Sequence, residues 1–284
     1  MRYGRAWIAI ALLCLPGVGR AQVSAAVEPL GTRVVSLNVA MREDVERVAE
    51  ELSAVLGAAS ADVILLQEVA HRRGNEDVAA QLGQRFGMAS IFRPAFGTAT
   101  RSGGLALLTR HPARDIRLFN LPRYDLNFRT RTRIALGATI DTPSGPVHVY
   151  NVHLDTRINV DQRLRQLGTV AHDFESRPGP AIVGGDFNTN GNRWLFHTIP
   201  LPFLGGQGAG LLRFMLGHGL HSVFGRGHPT HDAFRMQLDW LFLRGLRAAE
   251  GTIRPVTLSD HHVLIARVVQ DQGAGGQTST SGLR

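Results

Sequence analysis

The sequence predicts an α/β (α+β) protein built as a four-layer sandwich, in which two packed mixed β-sheets are flanked by helices. Apolar, β-branched runs recur along the chain, and only a few segments between them carry apolar residues at helical spacing. Tight turns join several of these runs, as a Pro-Ser-Gly turn does in TIDTPSGPVHV. A barrel of regular βα units would need a helix after each strand, so two packed sheets fit the pattern better.

The first three elements show this pattern most clearly. Residues 33–40 (RVVSLNVA) form a β-branched run, which indicates a strand. Residues 42–56 carry valine, alanine and leucine at helical spacing, which predicts an amphipathic helix. Residues 62–69 (DVILLQEV) predict an apolar strand that ends in polar side chains. Further strands are predicted at 104–109, 133–140, 147–154, 181–185, 238–243, 252–256 and 262–269, with a helix at 161–174.

The length and composition indicate one large globular domain. The chain has 284 residues, of which 44% are apolar and 19% charged, proportions that exclude a fibre or a disordered protein. We expect the domain to span residues 32–269. Residues 270–284 (QDQGAGGQTSTSGLR) lack apolar periodicity and predict a flexible tail. No stripe of self-association is evident, so we expect a monomer.

Residues 1–21 have the pattern of an export signal. Two arginines precede an apolar stretch at 6–15, and small residues follow as far as Ala21. The stretch is short for a membrane-spanning helix. Lipid anchoring at Cys14 is the alternative, although the bulky Leu13 before it argues against that reading. Together with the Ala-, Arg- and Gly-rich composition, this predicts a bacterial protein of the periplasm or the medium.

The chain is basic and almost free of cysteine. The formal net charge is +8 at pH 7, which favours phosphate-bearing or polyanionic partners without identifying one. A single cysteine leaves no disulfide framework, so stability must come from the core and from any bound metal.

Polar side chains follow the predicted strands at the points where the strands stop. Loops held by a rigid sheet are where such clusters are useful, although each residue taken singly also fits a cap or a solvated loop. The candidates are Asn38, Glu68, His153, Asp186, Asn188, Asp239, Asp260 and His261.

Taken together, these residues lie in an ordered set of motifs that resembles one family. The set resembles the endonuclease/exonuclease/phosphatase superfamily, which is deoxyribonuclease I-like and includes abasic-site endonucleases, neutral sphingomyelinases and inositol polyphosphate 5-phosphatases. The resemblance covers residues 33–268. Its motifs are SLNV around Asn38, LLQEV around Glu68, GLALLTR at 104–110, NVHLD around His153, GGDFN at 184–188, LDWLFL around Asp239 and LSDHH around Asp260.

The resemblance implies a metal site. Mg²⁺ prefers oxygen ligands and keeps several waters, so one or two carboxylates and a substrate phosphate suffice to hold it. Glu68 is the implied principal ligand, with Asn38 and Asp260 around the same ion. Asn38 has two readings, since its amide can bind the metal or orient the carboxylate. Mn²⁺ is the alternative ion, because oxygen ligands do not distinguish the two.

The resemblance also implies the catalytic residues. His261 has a side chain whose ordinary pKa suits a general base, and Asp239 is the implied carboxylate that orients its ring. Asp186 is implied to position or deprotonate water, so the proton acceptor is left open between Asp186 and His261. The implied contacts to phosphoryl oxygens are Asn188 and His153.

The resemblance also implies that Arg133, which begins an R-x-A-L strand as in the family, binds phosphate. The alternative is that its charge protects an edge strand.

The sequence therefore predicts an exported, metal-dependent phosphoesterase that hydrolyses a phosphodiester, with a nuclease as the first reading and nucleic acid as the partner. Alternatives are a phospholipid or sphingomyelin phosphodiesterase that contacts membrane lipid, and an inositol-phosphate-type phosphatase. A non-catalytic binding protein is a remote alternative. Residues 189–237 are Gly-rich and apolar, which suits either a lip that touches lipid or a pair of short helices that cover the core.

Overall fold

A computed structural model describes residues 31–57, 60–124, 132–202, 204–232 and 235–271. The predicted signal peptide at 1–21, Cys14 and the predicted tail from residue 272 onward lie outside these residues. Within the described ranges, the structure has no helix long and apolar enough to cross a membrane.

The described residues form two six-stranded mixed sheets and a small hairpin. The first sheet has the strand order β13-β14-β1-β2-β4-β3, and the second has the order β11-β12-β8-β7-β6-β5. The strands are β1 (Thr32–Asn38), β2 (Val63–Arg72), β3 (Ala89–Gly97), β4 (Arg101–Thr109), β5 (Ala113–Asn120), β6 (Ile134–Thr142), β7 (Gly145–His153), β8 (Ala181–Asp186), β9 (Arg193–Leu195), β10 (Ile199–Leu201), β11 (His221–Ser222), β12 (Asp239–Arg244), β13 (Leu246–Arg254) and β14 (Val263–Gln270).

Helices cover the outer faces of both sheets and complete the four predicted layers. On the first sheet, α1 (Val45–Leu56) and α2 (Val78–Phe86) bury apolar side chains against β1, β2 and β4. On the second, α3 (Val160–Glu175) and α4 (Gln207–Gly217) do the same against β7, β8 and β12. A third apolar cluster, which includes Leu65, Leu136 and Leu241, fills the space between the two sheets. The predicted fold class is confirmed.

Parallel pairs of strands place one edge of each sheet at the same end of the molecule. β1 pairs in parallel with β2, and α1 lies between them in the chain. β7 pairs in parallel with β8 across α3. Each crossover returns the chain to the same starting edge, so β1, β2, β7 and β8 all end at one edge of their sheets.

Two buried amides link the sheets just beneath that edge. Gln67 Nε2 on β2 donates to Asn151 Oδ1 on β7 at 2.8 Å. Asn151 Nδ2 donates to the carbonyls of Leu66 at 2.9 Å and Ala106 at 2.8 Å in the opposite sheet. Because both amides are fully buried, this network stabilises one register between the sheets.

Most predicted elements are found within a few residues of their expected bounds, but the strand predicted at 252–256 is the end of β13, which begins at Leu246. Of the two alternatives for residues 189–237, a lip that touches lipid or a pair of short helices, the helix pair is not found: the structure forms the β9–β10 hairpin followed by the single helix α4. Pro200 and Pro202 interrupt helical backbone here, and Leu195 pairs with Ile199 as strand partners instead. α2, β3, β5 and the two-residue strand β11 were not predicted from the sequence.

Candidate active site

Three of the polar candidates lie side by side because three neighbouring strands of the second sheet carry them at paired positions. Asp186, the last residue of β8, is directly paired with His153 at the end of β7 and with Asp239 at the start of β12. Asn38 ends β1 in the facing sheet, and its Nδ2 donates to Asp186 Oδ2 at 3.1 Å. His261 lies just before β14. The sheets therefore bring residues from distant parts of the chain to one centre.

The two glycines of GGDFN allow the strands to approach at this level. Gly184 faces Leu65 and Leu241 between the sheets, where a Cβ would overlap both side chains. Gly185 has φ +133°, and a Cβ there would collide with the backbone oxygen of Val152 on β7. A side chain at either position would push β8 away and displace Asp186.

Glu68 reaches the site through a bulge in β2. The pairing of β2 with β4 shifts between Leu66 and Val69, and Glu68 takes a left-handed backbone with φ 52°. A bulge turns one side chain out of the alternation of its strand, at a local cost in strain. Glu68 Oε1 lies 3.9 Å from His153 Nε2, and its side chain is partly exposed. The carboxylate thus lines the site while it remains open to solvent.

Asp186 is a buried carboxylate at the centre of the site. It accepts from Asn38 Nδ2 through Oδ2 and from the backbone N–H of Asn188 at 2.9 Å through Oδ1. Burial raises the pKa of Asp186 to about 6, and the neighbouring Asp239 raises it too, against the opposing charges of His261 and Arg133. Asn38 is therefore placed to orient Asp186, whereas its implied role at a metal stays a prediction.

His261 and Asp239 form a buried pair. His261 Nδ1 lies 2.9 Å from Asp239 Oδ2, and Thr230 Oγ1 donates to the same carboxylate oxygen at 2.7 Å. The Oγ of Ser259 accepts from the backbone N–H of His261 at 3.1 Å. Burial lowers the pKa of His261, but the carboxylates of Asp239 and Asp186 outweigh it and raise the pKa to about 10. Without a bound cation the imidazole is therefore protonated at neutral pH.

His153 and Arg133 form a second polar pair beside Asp186. Arg133 Nη1 lies 2.6 Å from His153 Nε2, which is itself 3.3 Å from Asp186 Oδ2. Arg133 is buried and directly precedes β6, an interior strand of the second sheet. The edge-strand reading of Arg133 is therefore wrong, and its guanidinium lies at the site.

Asn188 and the loop after β8 are held by a buried arginine that sequence reasoning missed. Asn188 has φ 52°, and its Nδ2 donates to the carbonyl of Leu154 at 2.9 Å. Arg163 of α3 donates to the carbonyls of Phe187 at 2.9 Å and Ile158 at 3.1 Å, and also to Asp155. Burial lowers the pKa of Arg163 to about 9. The one available signal was an arginine on the apolar stripe of a predicted helix.

Asp260 lies at the exposed margin of the site, next to His261. Its side chain is 59% exposed, and Oδ2 lies 3.1 Å from Nε2 of His231. The ring of His231 stands edge-on to His261 with 4.7 Å between centroids. His262, the histidine beside His261, instead pairs with Asp232 at 2.8 Å. No local sequence signal marks His231, because its position depends on a β-bridge to His261.

Two groups of side chains could hold a cation. Asp186, Asp239 and His261 offer ligand atoms within 4.8 Å of one another, and so do His231, Asp260 and His261. Among the described residues, no group of this kind includes Glu68. The donors nevertheless fit a divalent cation. Burial and the neighbouring Asp239 raise the pKa of Asp186, which means that negative charge is unfavourable at this position. A bound cation would stabilise that charge.

A cleft of about 770 Å³ opens beside the centre. One wall is the loop after β8, which includes Thr189 and Asn190, and another is the segment that includes Arg235 and Gln237. Both walls are close in the chain to catalytic candidates. Asn188 directly precedes Thr189 of the first wall, and Asp239 lies two residues after Gln237 of the second. A substrate group larger than the phosphate itself therefore has room next to the site.

Comparisons with known proteins identify the family and the fold of the chain. A model of the "Endonuclease/Exonuclease/phosphatase family" matches residues 35–261. A UPF0294 protein of Erwinia tasmaniensis is 30% identical over 118 residues, which cover 41% of this chain and 39% of that protein. The matched segment thus spans less than half the length of this curated relative.

Solved structures share the fold at low identity. An endonuclease/exonuclease/phosphatase from Beutenbergia cavernae superposes with a TM-score of 0.68 at 20% identity, over 84% of this chain and 72% of that one. The human Nocturnin catalytic domain with bound sulfate gives 0.62 at 19% identity, over 86% and 96%. Because the family model spans most of the chain, the protein belongs to the endonuclease/exonuclease/phosphatase family of phosphoester hydrolases.

Proposed function

We propose that this protein is a metal-dependent phosphodiesterase that acts outside the cytoplasm. The observation that carries the proposal is the buried contact of His261 with Asp239, placed so that His261 Nε2 lies 3.9 Å from Asp186 Oδ2. A water molecule between these two atoms would meet a base on one side and a carboxylate on the other. Water activation of this kind is what hydrolysis of a phosphoester requires.

Each residue has a defined task in this proposal. Asp239 accepts the Nδ1–H of His261, which directs Nε2 toward Asp186 and the attacking water. Asp186 aligns that water, and the Asp186–His261 pair takes its proton. Arg133 and His153 lie where they can donate to phosphoryl oxygens, and this stabilises the charge that grows in the transition state.

Residues with oxygen donors surround the same space and would hold the cation. Glu68, Asn38 and Asp260 are the ligands implied by the resemblance, and Asp186 is a third carboxylate beside those of Glu68 and Asp260. A bound Mg²⁺ or Mn²⁺ would neutralise charge on the phosphoryl oxygens and favour the neutral form of His261. The chain's own part is to keep Asp186 buried and to present Glu68 and Asp260 at the more open side of the site.

Two substrate classes follow from different observations. The net charge of +8 favours a nucleic acid, so we propose nuclease activity first. Exposed apolar side chains next to the cleft favour the second candidate, a phospholipid or sphingomyelin phosphodiesterase. Action outside the cytoplasm is proposed from the export pattern of residues 1–21.

The test compares hydrolysis of plasmid DNA, sphingomyelin liposomes and bis-p-nitrophenyl phosphate, each with Mg²⁺ or with EDTA. Wild type, His261→Ala and the neighbouring control His262→Ala are assayed together. We expect metal-dependent cleavage of at least one substrate by wild type and His262→Ala, and none by His261→Ala. Equal cleavage by His261→Ala, or full activity in EDTA, would contradict the proposal.

A further inference from the structure

The exposed apolar side chains of the molecule are concentrated in one segment. Seven large apolar side chains are exposed in the described part of the chain, and five of them lie between residues 195 and 216. The other two are Ile116 and Leu118 on β5, an edge strand of the second sheet. Clustered exposure of this kind marks a surface that contacts something other than water. The five are Leu195 (37% exposed), Phe196 (76%), Ile199 (52%), Leu204 (65%) and Leu216 (57%).

Three of them form the tip of the β9–β10 hairpin, which we call the apolar tip: Leu195, Phe196 and Ile199. Leu195 and Ile199 are cross-strand partners, and Phe196 follows in the turn. The backbone N–H of Thr198 donates to the carbonyl of Leu195 at 3.1 Å and closes that turn. Phe196 and His197 both have positive φ, at 50° and 59°. Glycine and asparagine favour this conformation, so an exposed phenylalanine is held there at a cost in strain.

The hairpin is tied to the body of the protein, so the tip is presented in a defined position. Asn159, just before α3, accepts from the backbone N–H of Trp194 at 2.8 Å and donates to its carbonyl at 2.9 Å. His197 Nδ1 lies 2.8 Å from the carbonyl of Arg157. A surface element that is preorganised in this way loses little conformational entropy when it binds a partner.

The charge around the tip is mainly positive, and the exposed Asp161 at the start of α3 is paired with Arg165 at 3.1 Å. Between Asp186 and Asp232 the sequence has no aspartate or glutamate, but it has three arginines and five histidines. Arg193 and Arg213 of this stretch are exposed, and the guanidinium of Arg157 lies 5.9 Å from the ring of Trp194. A partner for this surface is therefore anionic as well as apolar.

An anionic lipid bilayer has both properties. Aliphatic and aromatic side chains insert at the boundary between head groups and acyl chains, while arginines remain among anionic head groups. Single-stranded nucleic acid would match the charge, but it binds through aromatic stacking, and two of the three tip residues are aliphatic. Lipid is therefore the partner that the chemistry of this surface favours.

We propose that the apolar tip docks the protein on an anionic membrane surface. Pro200 of the same hairpin and Pro202 just after it line the 770 Å³ cleft, so docking would bring the mouth of the cleft to the lipid head groups. The docking itself does not depend on the hydrolytic activity. Binding and catalysis can therefore be tested separately.

The experiment measures cosedimentation of the full chain with phosphatidylcholine vesicles that either contain or lack phosphatidylglycerol. Phe196→Ser/Ile199→Ser removes apolar area and keeps every charge. We expect it to lower partitioning onto the anionic vesicles by about tenfold or more. The matched control Ile116→Ser/Leu118→Ser, on the distant strand β5, should partition like wild type. Urea unfolding of both variants should match that of wild type, which separates lost docking from lost folding without relying on the hydrolytic activity.

Several outcomes would overturn the proposal. Equal partitioning of wild type and Phe196→Ser/Ile199→Ser would show that charge alone binds the vesicles. An equal loss in the β5 control would show that exposed apolar area anywhere on the surface has the same effect. Wild type that binds neither vesicle but elutes as a dimer, which Phe196→Ser abolishes, would assign the tip to a protein interface instead.

Discussion

The candidate active site and the β9–β10 hairpin lie close to each other in the chain and differ in burial and in charge. Asp186, Asp239 and His261 are each less than 8% exposed, and their side chains are held by one another, by Asn38 and by Thr230. The hairpin exposes Phe196 at 76% and has no acidic residue. The first region keeps reacting groups in one geometry because it sits on two sheets. The exposed residues of the hairpin can vary in sequence without disturbing the geometry of those groups.

The largest expected effect is at the orienting carboxylate. Asp239→Asn keeps the size of the side chain but removes the negative charge that holds the Nδ1–H of His261. We expect kcat for bis-p-nitrophenyl phosphate to fall by about 10³ to 10⁴, as loss of an orienting carboxylate does in related arrangements. Asp232→Asn, a change to an exposed carboxylate that pairs with His262, is the control and should retain activity. Comparable losses of kcat in both variants would show that the buried carboxylate of Asp239 matters no more to the reaction than an exposed one.

The next effect concerns the arginine that holds the loops of the centre. Arg163→Met leaves the carbonyls of Phe187 and Ile158 without their buried donor, so we expect the free energy of unfolding to fall by about 3 kcal/mol. Arg165→Met on the exposed face of the same helix should change it by less than about 0.5 kcal/mol. Urea unfolding of both variants measures the difference. Equal stability would mean that the loops are held by the sheets alone.

The metal-free protein should lose stability as pH rises, because the fold raises the pKa of His261 to about 10 from an ordinary value of 6.5. A raised pKa means that the folded state holds a proton the unfolded state has lost. The contribution is therefore complete below pH 6.5 and disappears as pH approaches 10, with a slope of at most about 1.4 kcal/mol per pH unit.

Chemical unfolding in EDTA at several pH values between 6.5 and 10 checks this slope. His261→Gln should flatten it, and His262→Gln should keep it. A wild-type stability that is constant over this range would show that the two carboxylates do not hold the proton.

The smallest effect is in the hairpin. Phe196→Gly relieves a left-handed backbone at φ 50°, so we expect the free energy of unfolding to stay constant or rise by up to about 1 kcal/mol. Leu195→Gly, in the adjoining strand, should instead lower it by about 0.5 to 1 kcal/mol. Thermal unfolding compares the two. Destabilisation by Phe196→Gly would show that the ring packs in the folded state and is not an exposed docking group.

Much of the fold could be predicted because its signals are local. The strands β1, β2, β7 and β8 can each be recognised from the apolar residues within their own length. Likewise, the turn of the β6–β7 hairpin is specified by the three residues Pro-Ser-Gly. The strand β5 was missed because its residues are largely exposed on an edge and carry charges. The hairpin at 193–201 was missed because apolar residues there point to solvent, where periodicity no longer reports a core.

The candidate site also has features that the sequence predicts and features that it does not. The sequence by itself determined which side chains follow the strands, and the order of motifs that led to the family was confirmed by the match over residues 35–261. Only the tertiary structure decided that Asn38 contacts Asp186, 148 residues away, that Thr230 supports Asp239, and that His231 stands against His261. Local spacing specifies strands and turns, whereas contacts between strands depend on the register and packing of whole sheets, which no short stretch of sequence contains.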